Sequence, residues 1–187
     1  MNKKGKLIII SGPSGSGKGT ILKKLLEKDP NLRYSISATT RTPRDGEENG
    51  REYYFVTPEE FEQAVARDDM LEWADYCRNY YGTPIGPVKT WTDSGDHVIL
   101  EIEVEGAEQV MRKWPQVHSV FIMPPSMEEL ERRLRSRATE SSSDTAMRLH
   151  KAELEIEQAN IYEKVIVNDD LEQAVNELYG FIHESAQ

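Results

Sequence analysis

The run I-S-G-P-S-G-S-G-K-G-T, from Ile10 to Thr20, constrains the fold more than any other stretch of the chain. It follows KLIIIS (6–11), a short, β-branched apolar run of the kind buried on both faces of a parallel sheet. It precedes TILKKLLEKD, where Ile21, Leu22, Leu25 and Leu26 recur at helical spacing until Pro30 closes the segment. Strand, glycine loop and helix in that order make a phosphate-binding loop. Where side chains are absent, backbone N–H groups can turn inward on an oxyanion, and the following helix presents its positive end to the same point. Gly12, Ser14, Gly15, Ser16, Gly17, Lys18, Gly19 and Thr20 are therefore candidate phosphate contacts, with Lys18 as the point charge for a transferring phosphate. The pattern G-x-x-x-x-G-K-[ST] breaks at Gly19, where a hydroxyl would hold magnesium. Thr20 lies about 100° around and about 1.5 Å along the helix from that place, so it is not a simple replacement. A metal is expected to be held by nucleotide phosphates and water, with an acid supplied by another strand, and no residue is assigned as its direct ligand.

The rest of the chain repeats the alternation. HVILEIEV (97–104), VHSVFIM (117–123) and KVIVN (164–168) predict buried strands. EGAEQVMRKW (105–114), SMEELERRLRSR (126–137) and LEQAVNELYGFIHES (171–185) predict helices, Ser126 standing three residues before Glu129 as a cap. The expected fold is α/β, a parallel β-sheet flanked by helices. Two stretches break the rhythm. Residues 35–88 carry turn chemistry and a short aromatic strand, and are expected to form an inserted mixed α+β subdomain; residues 138–146, ATESSSDTA, are expected to belong to a mobile, short helical lid at about 133–148. The 187 residues suit one domain, with its core at about 1–34, 89–132 and 149–187.

A net charge of -10 argues against a broad nucleic-acid footprint, so arginines that meet an anionic ligand must be concentrated locally. No apolar run approaches the roughly 18 residues of a membrane span. The start MNKKGKLIIIS enters the glycine loop after only a few apolar residues, so a signal peptide is not expected and a cytoplasmic location is. The single Cys77 excludes an internal disulfide and reads as a packing residue, while His97, His118, His150 and His183 are too scattered for zinc.

Arg41 and Arg44, three apart around Pro43 in TTRTPR, can converge from one turn on a second phosphate. REYYF and NYYGT add Tyr53, Tyr54, Tyr80 and Tyr81, of which alternation sends half to the core. Glu72 in LEWADY can accept from the two adjacent N–H donors of a guanine edge, a pattern adenine lacks. Glu101 and Glu103 alternate with Ile102, on one face by strand period, and acids in an apolar strand need partners. In ERRLRSRATESSSDTAMRL, Arg133 and Arg137 share a helix face. Arg132 and Arg135 are expected to pair with neighbouring glutamates in solvent. Arg137 and Arg148, flanking the polar stretch, are expected to fold over a triphosphate and stabilise charge developing during transfer.

Together ISGPSGSGKGT, SISATTRTPRDGE, REYYF, LEWA, NYYGT, LEIEVEGA, PPSMEELERRLRSR and VNDD, in this order from about Lys6 to the last helix, resemble the guanylate kinase family. The resemblance implies a P-loop kinase core and ATP-dependent phosphorylation of GMP and dGMP with magnesium, through a core, a GMP-binding region and a lid. It implies that Ser37, Glu72 and Thr83 recognise guanine, with Glu101 or Glu103 assisting, and that Arg41, Arg44, Tyr53 and Tyr81 grip the GMP phosphate. Lys18, Arg137 and Arg148 match residues that neutralise the transferring phosphoryl group, Arg133 belongs to the same lid arm, and Asn168 and Asp169 fall where the family approaches adenine. G-K-G-T resembles a variant used by nucleoside monophosphate kinases. Ala138 stands where the family has glycine, and Ser142 and Ser143 replace acids. The expected partners are GMP, dGMP and ATP, with no nucleic acid and no membrane; monomer and homo-oligomer both remain open. Two alternatives accompany this reading. A silent, guanylate-kinase-like binding module is opposed by the intact Lys18 loop and the lid arginines. A kinase for another phosphorylated small molecule is opposed by Ser37, Glu72, Tyr81 and Thr83 occurring together.

Overall fold

The computed structural model describes residues 4–76, 78–136 and 142–184, apart from the side chains of residues 142 and 143. Cys77, Arg137 and Ala138 lie outside the described residues. In chain order the elements are β1 (Leu7–Ser11), α1 (Lys18–Lys28), β2 (Arg33–Tyr34), β3 (Ala38–Thr39), β4 (Tyr54–Phe55), α2 (Pro58–Ala66), β5 (Met70–Tyr76) and β6 (Asn79–Pro84). There follow α3 (Ile85–Asp93), β7 (Val98–Glu101), α4 (Val104–Lys113), β8 (His118–Met123), α5 (Met127–Arg135), α6 (Ser142–Glu157), a 3-10 turn (Ala159–Ile161), β9 (Lys164–Val167) and α7 (Leu171–His183). The expected α/β class holds: parallel strands flanked by helices, with a second, mixed sheet. None of the described helices is long and apolar enough to cross a membrane.

Contacts divide the chain into two compact units, the second made of Ile8–Asn31, Glu101–Val104 and His118–Gln187. Here β1 pairs parallel with β8, Ile8 opposite His118, and β8 with β9, Val120 opposite Lys164. Every residue of β1 is buried, as its apolar run requires. The buried stripe Ile21, Leu22 and Leu25 of α1 lies beside α7, which buries Ala174, Val175, Leu178 and Ile182. Ser126 caps α5, its hydroxyl accepting from the Glu129 N–H at 3.1 Å, and Leu130 and Leu134 then pack with Ala152 of α6.

The first unit comprises Met1–Leu7, Leu32–Leu100 and Glu105–Val117. Within it β2 pairs parallel with β7, and a separate sheet runs in the order β4-β3-β6-β5, antiparallel except for β3 with β4. Thr57 and Glu60 form a capping box at α2, with Pro58 at its first turn. That helix drives Phe61 onto Ala38 and Met70, its ring stacked at 5.3 Å on Tyr80. Burying such a ring is worth about 1.5–3 kcal/mol.

One expectation is corrected. The strand read over 97–104 stops at Glu101, because α4 begins at Val104; Glu101 and Glu103 therefore do not share a strand face. In the polar stretch 138–146, helix α6 starts at Ser142. Residues 35–88 contain helix α2 together with the seven- and six-residue strands β5 and β6.

Candidate active site

In the second unit, the loop from Gly12 to Thr20 joins β1 to α1 and bounds a cleft of about 360 Å³, lined by Ser14, Gly15, Gly17, Lys18, Gly19, Thr20 and Glu101. Gly17 precedes α1 with φ 94°, the left-handed region, and a Cβ built on it would lie 2.3 Å from Asn168 Nδ2. That buried amide donates to the Ser16 carbonyl at 2.7 Å, so Asn168 ties the loop to the chain beyond β9. The Ser11 and Ser16 hydroxyls are buried without a hydrogen-bond partner among the described residues. An unpaired buried polar group costs about 1–3 kcal/mol, which is tolerable where a ligand completes it. Gly19 differs from its neighbours: it is exposed, and a Cβ there would meet nothing within 4 Å. No contact among the described residues imposes this glycine.

The Lys18 ammonium donates to the Gly12 and Pro13 carbonyls, at 2.5 and 3.2 Å. Burial pushes its pKa down, against the raising effects of Glu101, Glu103 and Glu155. Glu101 and Glu103, two positions apart, have different surroundings. Glu101 lines the loop cleft, whereas Glu103 receives a 2.5 Å hydrogen bond from Lys151 of α6. Burial works against the ionised form of Glu103, but Lys151, with Lys18 beyond it, holds its pKa below the usual range. Glu155, also beside Lys151, is pushed up by burial and by the Glu103 charge.

Two arginines, Arg133 of α5 and Arg148 of α6, reach the loop. Arg133 donates to the Ser16 carbonyl at 3.4 Å, the Asn168 carbonyl at 3.1 Å and Glu129 at 2.8 Å. Arg148 donates to the Ser14 hydroxyl at 3.3 Å. Arg132 and Arg135 are paired on the helix surface with Glu129 and Glu131. Arg137 lies outside the described residues. Asp169 is exposed just beyond Asn168. Sequence reading gave Glu129 only a capping place; its position four residues before Arg133 was the available signal for a second role. Hydrogen bonds from Arg132 and then Arg133 lower the Glu129 pKa to about 2 from 4.5. A depressed carboxyl stabilises the fold above its unfolded pKa and loses that contribution as pH falls through the folded one. The stability gap between wild type and Glu129→Gln is therefore expected to be constant above pH 4.5 and to shrink between pH 4.5 and about 2, followed by thermal unfolding across pH. A gap that widened on acidification would contradict this.

The first unit gathers the other candidates. Thr39 and Thr40 bind the backbone of Tyr80 on β6, and so set where the chain leaves β3 toward Arg41. Arg41 donates to Glu47 at 2.9 Å and to the Thr42 carbonyl at 2.8 Å. Its guanidinium lies 5.5 Å from the centre of the Tyr53 ring, which meets Tyr81 edge-on at 6.0 Å. Tyr54 and Tyr80 pack instead on the Phe61 cluster, so alternation separates these tyrosines as expected. Glu47 also accepts from the Arg44 N–H at 2.8 Å, while the Arg44 side chain is exposed. Hydrogen bonds from Arg41 and from that N–H hold the Glu47 pKa below the ordinary range. Sequence reading assigned Glu47 no role, although the acid three residues after Arg44 in RDGE signals a closed turn. Glu72 on β5 is 7% exposed and accepts from the Thr83 hydroxyl of β6 at 2.6 Å. Burial pushes its pKa up, only partly offset by Thr83. Ser37 sits just before β3, its carbonyl accepting from the Tyr54 N–H at 2.9 Å.

The family model described as "Guanylate kinase" matches residues 4–185. The chain belongs to the guanylate kinase family. The guanylate kinase of Synechocystis sp. is 49% identical over 97% of this chain and 95% of its own length, and that of Desulfitobacterium hafniense 48% identical over 95% and 89%. A crystal structure of guanylate kinase from Anaplasma phagocytophilum matches with a TM-score of 0.75 at 36% identity, covering 97% of this chain and 86% of that one. In this guanylate kinase family member Lys18, Arg133, Arg148, Asn168 and Glu101 belong to one unit, and Arg41, Tyr53, Glu72, Tyr81 and Thr83 to the other.

Proposed function

We propose that this chain transfers the γ-phosphoryl group of ATP to a phosphate oxygen of GMP or dGMP, releasing ADP and the corresponding diphosphate. The observation that carries the reading is Glu72, a buried carboxylate steadied by Thr83 in the unit that also holds the Arg41, Tyr53 and Tyr81 cluster. A guanine edge presents the two N–H donors such a carboxylate accepts. Ser37 adds a polar group to base recognition, and Arg41 and Arg44, with the tyrosine hydroxyls, take the acceptor phosphate. The donor belongs to the glycine loop, Gly12 to Thr20, where Lys18 exchanges its carbonyl partners for phosphate oxygens; Asp169 and Asn168 stand on the adenine side. Arg133, Arg137 and Arg148 neutralise charge on the transferring group. The acceptor oxygen is already ionised, so positioning and charge neutralisation carry the rate, and no strong general base is required.

Magnesium, which the family implies, fits this donor set as an ion held by nucleotide phosphates and water. Glu101 is the carboxylate lining the same cleft, and among the described residues no cluster of three metal-binding side chains exists. When bound, it neutralises phosphate charge. Glu103, engaged with Lys151, is assigned to supporting the loop rather than to the base. The reaction is placed in the cytoplasm.

The test is ADP formation from ATP and magnesium with GMP, dGMP, AMP, CMP or UMP as acceptor. Turnover is expected with the two guanine nucleotides and to be lower by a factor of at least about a hundred with the others, the discrimination available to a site built around hydrogen bonds. GMP binding without turnover would return the chain to the binding-module reading, and equal use of AMP would remove the assignment of Glu72.

A further inference from the structure

Glu72 lies on β5, the end strand of its sheet, with β6 as its ladder partner on one side. Its other side is held by one face of α4. Gly106, Gln109 and Lys113, spaced three and then four residues apart, share that face. The Gln109 side-chain amide binds the Trp73 backbone twice, accepting from its N–H at 3.1 Å and donating to its carbonyl at 3.0 Å. That N–H belongs to the peptide unit joining Glu72 to Trp73, so the first bond fixes the direction in which Glu72 leaves the strand. Lys113 donates to the Met70 carbonyl at 2.7 Å and pairs with Asp68. Gly106 bounds the carboxylate itself: a Cβ built there would lie 2.9 Å from Glu72 Oε2 and 3.4 Å from its Cγ and Cδ. The register of β5 shifts between Met70 and Glu72, the point at which the ladder alone specifies position least.

We propose that Gln109 and Gly106 are positioning residues for guanine selectivity, Gln109 orienting the peptide that carries Glu72 and Gly106 leaving the space its carboxylate occupies. The proposal rests on the reading of Glu72 as the guanine acceptor. It acts through Glu72, so its signature is a change in base preference rather than a loss of fold or of ATP use. Gln109→Leu, which keeps similar bulk but removes both hydrogen bonds, is expected to raise KM for GMP about tenfold. The ratio of kcat/KM for GMP over AMP should fall by a similar factor, the scale of one or two neutral hydrogen bonds. KM for ATP should change little, and kcat at saturating GMP less than KM. Gly106→Ala, which acts from a different position, is expected to move the ratio in the same direction.

Both substitutions are measured alone and on a Glu72→Gln background, with thermal unfolding of each variant. On that background neither should lower the ratio further, because the group they position is already changed. Retention of wild-type base preference by folded Gln109→Leu and Gly106→Ala, while Glu72→Gln loses it, would overturn the positioning role and leave the guanine reading intact. If Glu72→Gln itself kept the preference, the guanine reading would fail and this inference with it. Should Gln109→Leu fail to fold, Gly106→Ala alone decides, either by a lowered ratio or by an unchanged one.

Discussion

Lys18→Met should lower kcat for GMP phosphorylation by about 10²–10³-fold, the cost of removing one preorganised charge-stabilising group, while leaving the melting temperature close to that of wild type. The first half follows from placement. Lys18 is on the first turn of α1 in the glycine-loop cleft, and its neighbours Arg133 and Arg148 are bonded to loop oxygens at Ser16 and Ser14. The second half follows from electrostatics. Burial pushes the Lys18 pKa down, so folding disfavours its charged form, and removing the charge removes that cost. What is lost in the fold is a pair of hydrogen bonds to the Gly12 and Pro13 carbonyls. Steady-state kinetics and a thermal melt on one preparation check both halves. A variant with near wild-type kcat would remove Lys18 from the transfer step, and a large fall in melting temperature would assign it to the loop's architecture.

Glu72→Gln should reduce the preference for GMP over AMP by at least about a hundredfold while the protein folds as well as before or better. Glutamine keeps an oxygen for the Thr83 hydroxyl, so the 2.6 Å bond survives on one side of the group. On the other side an NH₂ donor replaces a carboxylate oxygen and meets the guanine N–H donors, leaving buried donors without acceptors. Stability moves the other way, because burial already raises the pKa of Glu72 and a neutral amide carries no such penalty. The sign also sets a pH dependence in wild type. With a raised pKa, the neutral carboxyl accumulates as pH falls through a value above that of an ordinary glutamate, and base preference should fade with it. The ratio of kcat/KM for the two acceptors, followed across pH for both proteins, tests this; a ratio unaltered by the substitution would dissociate Glu72 from the base.

The glycine loop was legible because its chemistry is local: a buried strand, a helix and glycines between them are written in consecutive residues, and β1 and α1 fall where KLIIIS and TILKKLLEKD predict. The tyrosine pairs were legible for a similar reason, since period-two alternation within each pair is a local rule. The β5–β6 hairpin was harder to see. Arg78 takes φ 64° near its turn, a place where glycine or asparagine would have announced the reversal. The end of β7 was misread because Glu101, Ile102 and Glu103 continue the strand's alternation into the start of α4. Missing altogether were roles that depend on distant partners: Asn168 on the Ser16 carbonyl, 152 positions away in sequence, and Gln109 on Trp73, 36 away. Nothing in the composition of either segment encodes those pairings.

The pair of hydrogen bonds between Gln109 and Trp73 also bears on how this protein meets other copies of itself. An end strand as long as β5 offers free N–H and C=O groups to any extended chain, and such edges template aggregation. Gln109 occupies both groups of Trp73 in the manner of a neighbouring strand, and Lys113 takes the Met70 carbonyl and sets a cation beside it. Trp73 itself is 38% exposed, so the ring stays available while the backbone beneath it does not. Keeping that edge closed lets the buried Glu72 carboxylate stand on the outermost strand of a sheet without making the strand adhesive.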